Sequence, residues 1–249
     1  MRKYAVKFLI YLHIITGKLT CFFVRDELKK RKTLNANTSF FCRTGLKPLG
    51  LKPVFSGEEG LKKAGGCLVV CNHMSYLDII IMASMRPFVF VSSVDMRETP
   101  FVGMMAELGG TYFVERRNAS RLREEIKELA ALMEAGFAVV LFPEGTSTDG
   151  SRVLPFRAPF IESARKAGVP VYPACLKYES VNGEPFGEKN RDLVCWYGDM
   201  AFEPHFESLF RMDSVTASVR IMDPADASHA DRKELGDYLF SEVASAYYA

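Results

Sequence analysis

None of the familiar glycine-rich catalytic or nucleotide loops occurs in these 249 residues. A GxSxG elbow is absent, which removes the serine nucleophile that a hydrolase of that type requires. GxGxxG and GxxxxGK are absent too, so the loops that cradle nucleotide phosphates are missing. The six cysteines form no CxxC pair and no Cys/His zinc spacing, and no metal or bound cofactor is expected. Internal repeats and low-complexity segments are lacking. Charge nearly balances, at +2, so nothing global points to nucleic acid as a partner.

What is present suits a folded chain with a sizeable core: 48% apolar and 25% charged residues. The length suffices for one large domain, or a domain with a small appendage. Charge is unevenly spread. Residues 1–32 hold nine basic side chains against Asp26 and Glu27, so this end carries +7 and the rest −5. Within it, residues 7–24 (KFLIYLHIITGKLTCFFV) are about long enough to span a bilayer, but Lys7, His13 and Lys18 interrupt them. No small-residue cleavage site follows, so a removed signal peptide is not expected. A basic, apolar end on a mildly acidic body predicts a helix lying in or shallowly inserted into an anionic membrane surface. Residues 1–50 are therefore assigned to a membrane-associating segment and 51–249 to a separate folded domain. Cys67, Cys71, Cys175 and Cys195 lie in apolar runs and read as small core residues, which suits a reduced, cytoplasmic compartment.

Beyond Pro53 the pattern becomes regular. The run Cys67–Cys71 (CLVVC) reads as a buried strand and Tyr76–Met85 as a helix. Strands are expected at 88–91, 111–115, 137–142, 170–177, 193–197 and Val215–Ile221. Helices are expected at 101–108, 120–135, 160–167 and 231–247. In the helix at 120–135, Ser120 is the candidate N-cap, Leu122, Ile126, Leu129 and Met133 share a face, and Gly136 is the stop. Alternation of buried strands with helices predicts an α/β fold: a mixed, largely parallel sheet flanked by helices. In such sheets sites form beyond the carboxyl ends of strands.

Three groups of residues fall at such ends. The first is Asn72-His73-Met74-Ser75-Tyr76-Leu77-Asp78, directly after the strand Cys67–Cys71. A carboxylate in the first turn of the next helix can fold back to the His73 imidazole, fix its tautomer and leave the other nitrogen to take a proton. That is two-thirds of a triad whose nucleophile would be a substrate hydroxyl. Ser75 and Asp78 also match a capping box, so Asp78 can equally be a cap partner; the two readings are compatible. The second is Phe142-Pro143-Glu144-Gly145-Thr146-Ser147, where glycine and small hydroxyl residues suit close approach to a phosphate or oxyanion, or make a plain turn. The third is Gly110 to Arg117, where Arg116 and Arg117 offer forked positive charge to a phosphate, or to surface carboxylates. Arg157 is a further candidate cation.

Taken together these residues resemble the glycerolipid acyltransferase family, whose best-known members are 1-acyl-glycerol-3-phosphate acyltransferases. His73-Met-Ser-Tyr-Leu-Asp78 matches its His-x4-Asp motif. Gly110-Thr-Tyr-Phe113-Val-Glu-Arg116 matches Gly-x-x-Phe-x-x-Arg, Phe142 to Thr146 match Phe-Pro-Glu-Gly-Thr, and Val169-Pro170-Val171-Tyr172-Pro173 matches the apolar proline motif. The resemblance implies that His73 deprotonates the acceptor hydroxyl and Asp78 orients His73. Arg116 and Arg117 would hold an acceptor phosphate, with Arg157 as a further cation. Glu144, Gly145 and Thr146 would help bind the acceptor, and Pro173 would shape the acyl-donor side. It implies transfer of an acyl group from acyl-CoA or acyl-carrier protein to a lysophospholipid, with 1-acyl-glycerol-3-phosphate the first expectation and lyso-ornithine lipid an alternative. A lipid-binding protein without catalysis is the expectation from a different class. Membrane lipids are expected partners, at the cytoplasmic face of the inner membrane. Two departures bear on the head group. Phe156-Arg157-Ala158-Pro159 keeps a cation where the family often has Phe-Lys-x-Gly, and Ser92-Ser93-Val94-Asp95 lacks the lysine often found there.

Overall fold

The structure is a computed structural model that describes all residues except 116, 117, 158 and 228–230. Two long helices open the chain, α1 (Arg2–Phe23) and α2 (Glu27–Leu49), packed against each other as a hairpin. The apolar pattern predicts only the first. The second is polar in composition, so no apolar run announces it. It starts where the Asp26 carboxylate accepts from Lys29 N–H at 2.7 Å and stops at Gly50. Gly50 adopts φ 75°, and a Cβ there would lie 2.5 Å from the Asp213 carbonyl oxygen, so the turn into β1 (Leu51–Ser56) requires glycine. Arg2 ties the hairpin to the body by donating to the carbonyls of Pro48 and Met212.

After α3 (Glu59–Lys63) come β2 (Cys67–Cys71), α4 (Tyr76–Met85), β3 (Val89–Ser93), α5 (Val94–Arg97), α6 (Val102–Leu108) and β4 (Tyr112–Val114). Then follow α7 (Ala119–Glu134), β5 (Ala138–Leu141), α8 (Glu162–Ala167), β6 (Val171–Val181), β7 (Glu184–Pro185), α9 (Phe202–Ser208), β8 (Val215–Ile221) and α10 (Arg232–Tyr248). The sheet order is β1-β8-β6-β2-β5-β3-β4, with β7 paired to β6. Among the named strands of the described residues, the β6–β8 and β6–β7 pairings are antiparallel and the others parallel. This is the mixed, largely parallel sheet that the alternating pattern predicts. β2 lies among the central strands, between β6 and β5, and all five of its residues are buried, as a parallel strand covered on both faces should be. Ile126, Leu129 and Met133 of α7 are buried as the helical spacing predicts. Its N-cap is Asn118 rather than Ser120, because the Asn118 carboxamide oxygen accepts from both the Ser120 N–H and hydroxyl.

One expected strand is not formed. The run at 193–197 leaves a 3-10 turn (Arg191–Leu193) and crosses over the end of β2, where Trp196 N–H donates to the Met74 carbonyl at 2.9 Å. Val194 and Cys195 are buried by this packing and not by sheet pairing, which a short apolar run by itself does not distinguish. Cys67, Cys71, Cys175 and Cys195 are free, buried core residues.

α1 has two unlike faces. Val6, His13, Gly17 and Thr20 are buried, and a Cβ on Gly17 would stand 3.1 Å from Leu108 of α6, so the two helices touch closely. Tyr4, Phe8, Tyr11, Ile15, Leu19 and Phe22 recur at helical spacing and are exposed. By length and composition α1 could cross a membrane, the one such helix among the described residues.

Candidate active site

The site is built at the carboxyl end of β2. The strand ends at Cys71, and the Asn72 side chain then imitates one more rung of the ladder. Its amide donates to the Leu176 carbonyl at 2.8 Å and its oxygen accepts from Leu176 N–H at 2.9 Å. The loop bearing His73 is thereby anchored to β6 by a buried side chain.

Asp78, fully buried in the first turn of α4, accepts four hydrogen bonds. Its Oδ2 receives the amides of Met74 at 2.7 Å and Ser75 at 2.8 Å, and faces His73 Nδ1 at 2.9 Å. Its Oδ1 receives the Tyr178 hydroxyl at 2.6 Å. Ser75 in turn accepts from Leu77 N–H at 3.3 Å, and Ser75 with Asp78 forms a reciprocal capping box at the start of α4. Cap partner and histidine partner are thus one carboxylate in one position. A buried carboxylate is costly unless its lone pairs are met, and here they are. With Nδ1 held, Nε2 is left to accept a proton.

The imidazole lies flat on Phe142, with ring centroids 4.1 Å apart and planes 16° from parallel, and its side chain is 20% exposed. Phe142 stacks in turn on Phe90, at 6.4 Å. Beyond Phe90 lies an apolar cavity of about 230 Å³ between the α1–α2 hairpin and α4, α6 and α9. Tyr76, Ile79 and Phe90 line its near wall, and Phe101, Met105 and Phe202 lie further round.

Glu144 departs from its expected place. It is 2% exposed and does not present a free carboxylate to an acceptor. One oxygen accepts from His73 N–H and the other from Leu154 N–H, the latter at 2.7 Å. It joins the loop after β5 to the loop after β2. Burial raises its pKa to about 7, opposed by these two amide bonds and assisted by the nearby Asp78 charge.

Gly145 turns with φ 77°, and Arg157 packs over it, the guanidinium Nη1 lying 3.5 Å from where a Cβ would be. Arg157 N–H also donates to the Pro143 carbonyl at 2.8 Å, so an exposed cation is fixed beside the loop. Thr146 is exposed in the same loop, and Ser147 donates to the Trp196 carbonyl. Pro173 is buried in β6 opposite Val70, so any effect it has on a substrate runs through the sheet. Arg116 and Arg117 lie outside the described residues. Within those described, no cluster of His, Cys, Asp or Glu could hold a metal ion. Asn72 and Tyr178 are the participants that motif spacing leaves without a role. Tyr178 is 100 positions from Asp78, and no local signal marks it.

Comparison with known proteins bears on this geometry. A family model described as Acyltransferase matches residues 52–177. The lyso-ornithine lipid O-acyltransferase of Brucella abortus is 37% identical over 188 residues, covering 72% of this chain and 70% of that protein. The 1-acyl-sn-glycerol-3-phosphate acyltransferase of Neisseria gonorrhoeae is 28% identical over 188 residues, covering 75% and 71%. The crystal structure of the 1-acyl-sn-glycerophosphate (LPA) acyltransferase, PlsC, from Thermotoga maritima superposes with TM-score 0.66 at 23% identity, covering 100% of this chain and 97% of that one, a likeness of fold.

Proposed function

Because the chain belongs to the acyltransferase family, we propose that it esterifies the free hydroxyl of a lysolipid with an acyl group delivered as a thioester of CoA or acyl-carrier protein. The protein is an acyltransferase of the lysophospholipid type. His73 Nε2 takes the proton of the acceptor hydroxyl as the oxygen attacks the thioester carbonyl. The tetrahedral intermediate collapses, the carbon–sulfur bond breaks, and the imidazolium returns its proton to the departing thiolate. Asp78 positions the ring and balances its charge in the transition state. The observation that carries this reading is the His73–Asp78 pair, 2.9 Å apart, on a fully hydrogen-bonded support two stacked rings, Phe142 and Phe90, from an apolar cavity. That cavity suits an acyl chain, and Arg157 with the loop at 145–147 suits an anionic head group.

For the acceptor, we place a lyso-ornithine-type lipid first and 1-acyl-glycerol-3-phosphate second. The higher identity to the Brucella relative and the departures at 92–95 and 156–159 favour that order. The exposed stripe of α1, with basic residues at both its ends, supports binding at the cytoplasmic face of the inner membrane, where the acceptor resides.

The test is acyl transfer by the purified protein in liposomes, with labelled acyl-CoA and acyl-carrier protein offered to a panel of lysolipids, beside His73→Ala. Transfer that is lost in the variant supports reaction and base together. Transfer confined to 1-acyl-glycerol-3-phosphate reverses the order of acceptors. A folded protein that transfers nothing from either donor overturns the proposal.

A further inference from the structure

The cavity beyond Phe90 is lined almost wholly by apolar side chains, yet two buried polar atoms among its lining residues have no hydrogen-bond partner among the described residues. They are Nδ1 of His13, on α1, and Oγ1 of Thr38, on α2. His13 is 4% exposed, with its ring edge-on to Phe41 at 5.4 Å. Burial lowers its pKa, so the ring is neutral there.

Thr38 is exceptional among the threonines of the hairpin. Thr16, Thr20, Thr33 and Thr44 all satisfy their hydroxyls by donating to the carbonyl four residues earlier, at 2.8 to 2.9 Å. Thr38 makes no such bond, although it sits in the same kind of helix. A helical threonine reaches that carbonyl in one of its usual rotamers, and Thr38 does not use that bond, so its hydroxyl is available to something in the cavity. Orphaned buried polar groups are rare because each costs free energy, and two from different helices at one cavity indicate a shared occupant.

We propose that this cavity takes an acyl chain that bears a hydroxyl along its length, recognised by His13 and Thr38, and that the pair selects oxygenated chains over plain ones. A neutral imidazole and a threonine hydroxyl each donate or accept, which matches the dual character of an alcohol. A saturated chain leaves both atoms unpaired, and a site with buried polar groups rejects a ligand that cannot pair with them. The inference rests on the reading of the cavity as an acyl site. The hydroxylated chain can belong to donor or acceptor, and the two are separated below.

Two measurements test it. The first is binding of mid-chain hydroxylated stearate against stearate by the full-length protein in detergent, by calorimetry, with His73→Ala used so that no turnover intervenes. The hydroxylated acid should bind about tenfold more tightly, and His13→Phe and the near-isosteric Thr38→Val, each added to that background, should bring the ratio towards one. Equal binding, or a preference that survives both substitutions in folded protein, overturns the proposal and leaves the two atoms to solvent. The second is kcat/KM with the hydroxyl placed in the donor chain and then in the acceptor chain. The arm whose preference depends on His13 and Thr38 names the source, and a preference in neither arm overturns the role in selectivity. If no transfer occurs while the hydroxylated acid is still selected through His13, the enzymatic reading fails and the binding site stands.

Discussion

The loop after β2 and the α1–α2 hairpin treat polar atoms in opposite ways. At the end of β2, both polar atoms of the Asn72 side chain and both carboxylate oxygens of Asp78 and Glu144 are engaged. In the hairpin, His13 Nδ1, Asn35 Oδ1, Thr38 Oγ1 and Ser39 Oγ are buried without partners among the described residues, while large apolar side chains face outward. A satisfied network holds a catalytic group in one geometry. The hairpin instead combines buried polar atoms at its cavity with an exposed apolar stripe, the two features on which the proposals for an acyl chain and for a lipid surface rest. The loop after β2 is fully hydrogen-bonded at these side chains, and the hairpin is not.

Substitutions at the two regions should therefore separate activity from stability from membrane binding. The largest effect is expected from His73→Ala, with transfer reduced about 10²–10⁴-fold and the melting temperature little changed, because the ring is partly exposed and Asp78, its one side-chain hydrogen-bond partner among the described residues, keeps three other donors. A large drop in melting temperature would instead make His73 structural. Asp78→Ala should lose both. Four donors are left facing a vacancy, and denaturant unfolding should show a loss of about 3–5 kcal/mol. Tyr178→Phe removes one of those donors and should cost only about 1 kcal/mol, with a modest fall in kcat.

Glu144 gives a pH test of the same network. Its pKa is raised on folding to about 7 from 4.5, so the folded protein binds the proton more tightly than the unfolded chain. This contribution is present below pH 4.5 and is lost as pH rises to about 7. It amounts to up to about 3 kcal/mol. Glu144→Gln should flatten the stability profile across that window, as followed by denaturant unfolding at stepped pH. An unchanged slope would show that Glu144 stays ionised throughout. At the hairpin, Phe8→Glu with Ile15→Glu should release the protein from anionic vesicles in a flotation assay, while transfer to a detergent-dispersed lysolipid persists. This is the smallest expected effect on the chemistry, and loss of dispersed-substrate transfer would place the stripe within the site itself.

Short-range patterns account for much of what was legible in advance. β2, α4 and β8 fall where the apolar runs predict them, and the His73–Asp78 pairing follows from a five-residue separation across a strand-to-helix turn. The run at 193–197 misled because burial, not pairing, explains its apolar character. α2 escaped notice because a helix held by packing against α1 and α4 needs no apolar run of its own. Glu144 lies in a recognisable motif, yet its motif neighbours say nothing of where its carboxylate points.

The sequence by itself determined the local geometry: the strand, the cap, the turn that aims His73 beyond the sheet, and an amphipathic basic terminus suited to a lipid surface. Those features depend on residues a few positions apart, where backbone period and capping chemistry act directly. Only the tertiary structure decided which groups complete the site. Asn72 meets Leu176 across 104 positions, Asp78 meets Tyr178 across 100, and His73 meets Glu144 across 71. Such pairings exist because parallel strands distant in sequence are brought side by side, and that arrangement is a property of the whole sheet.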